Sequence, residues 1–445
     1  MPSADRIICV DFGSTFTKAS LVDLTEGRIV AGASHRTTIE SDVLDGYDAC
    51  LAQLTLVDAR AADAEVLACS SAGGGLRIGV VGNEELVTAE AGRRVALSSG
   101  GKVVSVSPRE AHGALRRALD LTTPDVVLLT GGTDGGNSEA LLGGARALAA
   151  AWSGPVVVAG NVEAQPEVAT ILAGHPVVFA DNVVPKIGVL APDSARAAIR
   201  EMFLAHVIGG KHLSRRADFG AMVRGATPDV VLTGVEVLAE LVGDVVVVDV
   251  GGATTDVHSV VELDPDSIGR EVVATTRVTR TVEGDLGMRW SAVTTAEAIG
   301  DPALTGPAER RRRDPSYLPD GEAEQAFDEA LAAGAVRTAL ERHAGRSKVV
   351  LSPEGKPNSK VVERTGKDLR EVDLLVGSGG VLRHGGDGIA ERVLGASTGE
   401  QAEGWQLPRA PRIVVDSDYV LACVGLLADT HPEAARALAH SLASR

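Results

Sequence analysis

Two short stretches of this chain place an acidic residue at the end of an apolar strand, followed by a glycine turn and a polar return strand. The first is Val10-Asp11-Phe12-Gly13-Ser14-Thr15-Phe16-Thr17-Lys18-Ala19, and the second is Val248-Asp249-Val250-Gly251-Gly252-Ala253-Thr254-Thr255-Asp256-Val257. Such a turn directs several backbone N–H groups toward one point, because glycine adopts the required dihedrals and lets a ligand approach the chain closely. A phosphate suits it. Gly13, Ser14 and Thr15 would cradle phosphate oxygens, and Lys18, returning on the next strand, would add a point charge at the β- or γ-phosphate. Asp11 and Asp249 would face a hydrated magnesium ion, which keeps most of its waters and asks for one or two carboxylates. Gly251, Gly252, Ala253 and Thr254 would hold the same phosphates from the opposite side, with Thr254 bonding the γ-phosphate. An aspartate that ends an apolar strand is otherwise costly to desolvate. Asp256 has two readings: it orients the attacking water or the waters of the magnesium, or it pairs with a neighbour. His258 reads as a strand-packing histidine. A third glycine-rich stretch, Gly377-Ser378-Gly379-Gly380, follows the apolar Leu374-Leu375-Val376 and would press against adenine and ribose, with Arg383 lying across the base.

Strands and turns must hold these residues. Ile7 to Asp11 and Thr17 to Val22 predict a hairpin, with a second turn at Glu26-Gly27. Strands near Val66-Leu67, Ile78–Val81 and Val103–Val106 alternate with a helix over Thr88 to Leu97. From Asp125 to Leu190 strand and helix alternate regularly, which predicts a parallel sheet. The apolar Val245–Val248, the second turn and a return strand from Thr255 to Val261 then repeat the opening pattern. The two ten-residue stretches align without a gap, matching Val, Asp, Gly and a late Thr, and each sits at the same place in a strand–turn–strand unit. Two related domains are expected, 1–242 with an α/β insertion at about 107–200, and 243–445. The stretch Asp301 to Gly345, with its run Arg310-Arg311-Arg312-Arg313 and an alanine-rich helix from Glu322, reads as a solvated surface region. Ser417 to Leu427 reads as a small-residue helix. The glycine-rich loop Gly131–Asn137 has the composition of a ligand site in a doubly wound sheet, although backbone packing or partner contact is favoured.

The 445 residues exceed one ordinary domain, and 44% hydrophobic with 23% charged residues is the composition of a folded protein. A net charge of -17 argues against a diffuse electrostatic grip on nucleic acid or anionic lipid, so any phosphate must be held locally. No apolar run reaches the roughly 18 residues of a membrane helix, and a cytoplasmic location is expected. Cys9, Cys50, Cys69 and Cys423 lack metal-ligand spacing and read as buried thiols.

Together the three motifs resemble the actin/Hsp70/sugar-kinase superfamily. Asp11-Phe12-Gly13-Ser14 with Lys18 resembles its first phosphate motif, Asp249 to Asp256 its second, Leu375 to Gly380 its adenosine motif, and Tyr419 to Leu427 its late connecting helix. The resemblance implies an α/β fold of two actin-like, ribonuclease H-like ATPase domains facing a nucleotide cleft, with ATP or ADP and Mg2+ as cofactors. A narrower resemblance rests on Cys69-Ser70-Ser71-Ala72-Gly73-Gly74-Gly75-Leu76, on Leu128 to Asn137 and on Arg280-Thr281-Val282-Glu283-Gly284-Asp285-Leu286-Gly287-Met288-Arg289. These look like the MutL/GlmL family, proteins that accompany glutamate mutase and related adenosylcobalamin-dependent mutases. It implies an ATP-driven chaperone that reactivates such a mutase and takes the mutase subunits as partners. A small-molecule kinase and an actin-like assembly protein, hence a homo-oligomer, are the competing expectations.

Overall fold

The structure is a computed structural model that describes residues 5–82, 88–108, 112–216, 218–263, 276–351, 360–401 and 404–445. Packing divides these residues into two units. One runs from the first strand to Val237 and takes in Leu421–Ser441; the other comprises the described parts of Leu238–Val420 and Leu442–Arg445.

In the first unit the apolar run Ile7–Val10 makes strand β1 (Arg6–Phe12), buried almost throughout. The chain turns at Gly13, returns as β2 (Phe16–Asp23) and continues as β3 (Arg28–Arg36), an antiparallel meander in which Asp11 stands opposite Lys18. Asp42 then caps the helix Val43–Val57 by accepting from the Leu44 N–H. That helix buries Val43, Leu44, Tyr47, Cys50 and Leu54 at helical spacing, and Tyr47 and Phe219 both meet the Phe12 ring edge-on. Beyond the helix, β4 (Glu65–Ser70) runs parallel to β1.

Five further strands follow: β5 (Leu76–Gly82), β6 (Gly101–Pro108), β7 (Val126–Leu129), β8 (Val156–Val158) and β9 (Val177–Phe179). They form a second sheet, parallel throughout, in the order β6-β5-β7-β8-β9. This is the strand order of a doubly wound α/β sheet. The sheet begins ahead of the 107–200 stretch expected for an insertion, because β5 belongs to it and pairs with both β6 and β7. Strand β10 (Val223–Ala226) then returns to lie parallel to β4, giving the first sheet the order β3-β2-β1-β4-β10.

The second unit repeats that first sheet. Strands β11 (Val245–Val250), β12 (Thr255–Val260) and β13 (Val278–Glu283) form an antiparallel meander. An antiparallel ribbon of β14 (Arg346–Leu351) and β15 (Lys360–Thr365) precedes β16 (Leu374–Ser378) and β17 (Arg412–Val415). Strand β16 is parallel to β11 and β17 parallel to β16, so the order β13-β12-β11-β16-β17 matches that of the first unit strand for strand. The fold is therefore α/β with two actin-like domains, the first enlarged by the parallel sheet. No helix among the described residues is long and apolar enough to cross a membrane. All four cysteines are buried thiols.

The stretch expected to be a solvated surface instead supplies the core of the second unit. Helix Glu322–His343 buries Phe327, Leu331, Ala332, Ala335, Val336, Ala339 and Leu340, and its small residues allow close approach: a Cβ on Gly334 would stand 2.2 Å from Ile299 Cδ1. Helix rotation splits the arginine run. Arg312 and Arg313 are exposed, whereas Arg311 is fully buried, pairing with Asp328 and Glu324 and stacking over the Phe327 ring at 4.1 Å.

A second buried cation, Lys367, donates from Nζ to Ser259 Oγ (3.0 Å), the Arg277 carbonyl (2.8 Å) and Thr279 Oγ1 (3.0 Å). His343 meets Ser259 Oγ at 2.7 Å and Thr281 Oγ1 at 2.9 Å. Burial, partly offset by Asp244, pushes the Lys367 ammonium down to about 7, and burial pushes His343 down to about 3. With the folded-state value below the unfolded one, the unfolded chain binds the extra proton between pH 7 and roughly 10.4, so the lysine favours folding increasingly as pH rises through that window. Urea unfolding of wild type and Lys367→Met across pH 7 to 10 should show wild type gaining stability relative to the variant as pH rises. A pH-independent difference would refute this account of Lys367.

Candidate functional site

In the first unit, the turn after β1 is closed by a hydrogen bond from Gly13 N to the Phe16 carbonyl (3.1 Å), and a Cβ on Gly13 would lie 2.6 Å from that carbonyl oxygen. Ser14 and Thr15 are exposed. The carbonyls of the turn are tied down from the end of β3: Thr37 N donates to Thr15 O (2.9 Å) and Thr37 Oγ1 to Gly13 O (2.7 Å). Its amides are not. No acceptor among the described residues meets the N–H of Ser14 or Thr15. Behind the turn the Asp11 carboxylate is held at both oxygens. Thr227 Oγ1 donates to Oδ1 at 2.7 Å, the Cys69 thiol reaches the same oxygen at 3.7 Å, and Lys18 Nζ stands 3.5 Å from Oδ2. Burial and the neighbouring Asp11 charge push the Cys69 thiol well up, which keeps it protonated and able to donate.

The second unit builds the same turn with a different charge pattern. Gly251 N donates to the Thr254 carbonyl at 2.9 Å, and a Cβ on Gly251 would stand 2.9 Å from that oxygen. The supporting element is the stretch from Glu283 to Ser291. Met288 N donates to Gly251 O (3.0 Å), Arg289 N and Trp290 N to Gly252 O (2.8 and 2.9 Å), and Ser291 Oγ to Ala253 O (2.6 Å). Gly287 packs directly on the turn, since a Cβ there would be 2.8 Å from Gly252 O. With the carbonyls engaged, the N–H groups of Gly252, Ala253 and Thr254 meet no acceptor among the described residues, and Gly252 and Ala253 are exposed. A run of N–H groups aimed outward from a tight turn is an anion cradle.

Asp249 lies opposite Asp256 across the β11–β12 ladder and beside Ser378 on β16, so the three side chains share one face of the sheet. Where the first unit sets lysine against aspartate, the second sets aspartate against aspartate. Arg280 Nη2 stands 3.3 Å from Asp256 Oδ2, whereas Asp256 Oδ1 is buried and meets no donor among the described residues. A paired acidic edge with an unmatched anionic oxygen fits a hydrated divalent cation, which needs only one or two carboxylates and supplies donors through its waters. Among the described residues no three or more His, Cys, Asp or Glu side chains converge as a dehydrated metal site would require. His258 is buried, and its imidazole is driven well below its usual range by burial and then by the Arg280 charge, so it is neutral and serves packing.

The third loop lies beside the second turn. Gly379 has φ +108, and a Cβ there would stand 2.2 Å from the Val250 carbonyl oxygen; Gly377 is closely covered by Leu382 and Leu394. Gly380, which starts a short helix, has open space around it. Arg383, expected to lie across an adenine, instead stacks over the Tyr419 ring at 4.3 Å. Three contributors were not assigned a role from the sequence: Thr37, Thr227 and the Glu283–Ser291 support. Only the last left a signal, the glycine-punctuated stretch after Arg280. Gly379→Ala should cost more than about 1 kcal/mol of stability, because alanine must adopt a left-handed conformation against a backbone carbonyl, whereas Gly380→Ala should be within about 0.5 kcal/mol of wild type. Urea unfolding of the pair, with equal losses in both, would contradict this packing role.

A family model described as MutL protein matches residues 7–442. The curated Protein MutL of Clostridium tetanomorphum is 36% identical over 456 residues, an alignment covering 97% of this chain and 97% of that protein. Among solved structures, nucleotide-free acetone carboxylase is similar over 95% of this chain and 70% of its own, at 15% identity and a TM-score of 0.39. Gluconate kinase from Lactobacillus acidophilus is similar over 99% and 95%, at 13% identity and a TM-score of 0.36.

Proposed function

The chain belongs to the MutL protein family, and from that premise we propose that it is a cytoplasmic ATP-binding chaperone that hydrolyses ATP slowly and reactivates an adenosylcobalamin-dependent mutase of the glutamate mutase type. The observation that supports nucleotide binding most directly is the hydrogen-bond accounting of the two turns: in each, protein groups take the carbonyls and leave successive amides for an anion. In this reading the N–H groups of Ser14 and Thr15, and those of Gly252, Ala253 and Thr254, bind phosphate oxygens. Lys18 adds positive charge at the β- or γ-phosphate, and Asp11 and Asp249 orient waters of the cation. Magnesium, when bound, neutralises charge on the β- and γ-phosphates. Asp256 orients the attacking water, and the Gly377–Gly380 loop borders the adenosine. The mutase as partner, and exchange of its damaged cobalamin as the work done, rest on the MutL family.

Hydrolysis should be slow without a partner, rise on addition of an adenosylcobalamin-dependent glutamate mutase, and release inorganic phosphate without labelling a metabolite; phosphate transfer to a sugar or acid would instead make the protein a kinase. Asp249→Ala should lower phosphate release by at least about 100-fold while the far-ultraviolet circular dichroism stays that of wild type. Lys18→Ala should weaken ATP binding about 10-fold, read by calorimetry with and without magnesium. Unchanged turnover in Asp249→Ala would remove the second turn from the site.

A further inference from the structure

The second turn carries a problem that the first does not. Directly opposed like charges in an antiparallel ladder are destabilising, and Asp249 and Asp256 are opposed, whereas the equivalent pair in the first unit, Asp11 and Lys18, attracts. Some cation must make the acidic pair tenable and decide how Asp256 is oriented. The next strand supplies it. In the β12–β13 ladder Asp256 pairs with Val282, an apolar residue, and His258 pairs with Arg280. Arg280 therefore stands two residues along β13 on the same face, within diagonal reach of Asp256. Its side chain is 4% exposed, and its guanidinium contacts Asp256 at Oδ2 while leaving Oδ1 unmatched among the described groups. His258 is neutral and adds no positive charge there.

We propose that Arg280 is a positioning residue for nucleotide hydrolysis: by holding Oδ2 of Asp256 it fixes the carboxylate so that Oδ1 is the acceptor for the attacking water or for a water of the cation. A buried anionic oxygen is expensive without a donor, so an orientation that keeps Oδ1 unmatched within the protein is one prepared for a ligand. Arginine suits the task better than lysine, because a planar guanidinium fixes direction as well as charge. The inference rests on the reading of the two turns as an ATP site. It adds that Arg280 acts through Asp256 and touches no phosphate.

The test measures kcat, KM for ATP and nucleotide affinity for wild type, Arg280→Met, Arg280→Lys, Asp256→Asn and the double variant Arg280→Met/Asp256→Asn. Arg280→Met should lower kcat about 10- to 100-fold with KM and affinity within about threefold of wild type, the signature of lost orientation rather than lost binding. Arg280→Lys should recover part of that loss. In the Asp256→Asn background, Arg280→Met should cost nothing further, because the group it positions is already altered. Retained ATP affinity shows that the variants are folded, and Arg280→Lys with the double variant carries the test if Arg280→Met alone does not fold. Equal kcat in wild type and Arg280→Met, or additive losses in the double variant, would overturn the positioning role while leaving the ATP site intact. A wild-type protein that neither binds nor hydrolyses ATP would overturn the underlying reading, and the role of Arg280 with it.

Discussion

Each half of this protein must keep a carboxylate charged at the rim of a strand that is otherwise sealed in the core. Strand β11 shows the constraint plainly: Val245 to Val248 are buried, Asp249 is half-buried at the edge, and Val250 is buried again. The apolar run fixes the strand and the strand fixes the turn, so packing brings the aspartate to the rim. What the aspartate can do is then decided by the residue facing it across the hairpin. Lys18 opposite Asp11 yields an edge that is electrically balanced and able to turn positive charge toward a phosphate. Asp256 opposite Asp249 yields an edge with surplus negative charge, suited to a cation. The same strand–turn–strand unit occurs twice, with lysine facing the aspartate in the first and a second aspartate facing it in the second at equivalent register.

Both turns are also polarised. A backbone turn exposes both carbonyls and amides, and a phosphate is attracted only if the carbonyls are occupied elsewhere. In the first unit one threonine, Thr37, covers two carbonyls through its amide and hydroxyl. In the second, three successive amides and the Ser291 hydroxyl do so, and the tight approach of Gly287 is what brings them close enough. The second support is in turn tied to the buried ion-pair network, since the Arg289 guanidinium pairs with Asp328, which also holds Arg311. A charged pair in that setting is costly to break, so the network resists displacement of the supporting loop.

The sequence carried the turns, their strands, several helices and the likeness of the two halves, because glycine after an apolar run and the periods of strand and helix are local properties. It did not carry the residues that reach the site from far away in the chain. Thr227 approaches Asp11 from 216 residues downstream, at the start of a helix with an unremarkable composition. Arg280 sat within a recognised motif, yet its diagonal reach to Asp256 becomes visible only once the register of β12 and β13 is known. The arginine run misled for the opposite reason. Charge density along the chain suggested solvent, but helix rotation sends Arg311 inward to partners on a second helix. The parallel sheet was legible as a type and misplaced in extent, because pairing between β5 and β7 spans two helices and another strand.

The loop Gly131–Asn137 sharpens the criterion that separates a ligand turn from a structural one. It is as rich in glycine as the two phosphate-type turns and follows β7, the central strand of a doubly wound sheet. Many of its polar groups are nevertheless spent internally. Gly135 N donates to Glu163 Oε2 at 3.0 Å and Gly136 N to the Thr133 carbonyl at 3.0 Å. The buried Asn161 and Asn182 donate to Thr133 O and Gly132 O, and Asn182 also holds the Asp134 carboxylate. The N–H groups of Gly131, Gly132, Thr133 and Asn137 meet no acceptor among the described residues, but the Asp134 and Glu163 carboxylates are bonded into the loop and repel an anion. Glycine in the sequence marks where the backbone is forced into an unusual path; whether that path serves packing or binding is decided by where its N–H groups end and by the charge that stands beside them.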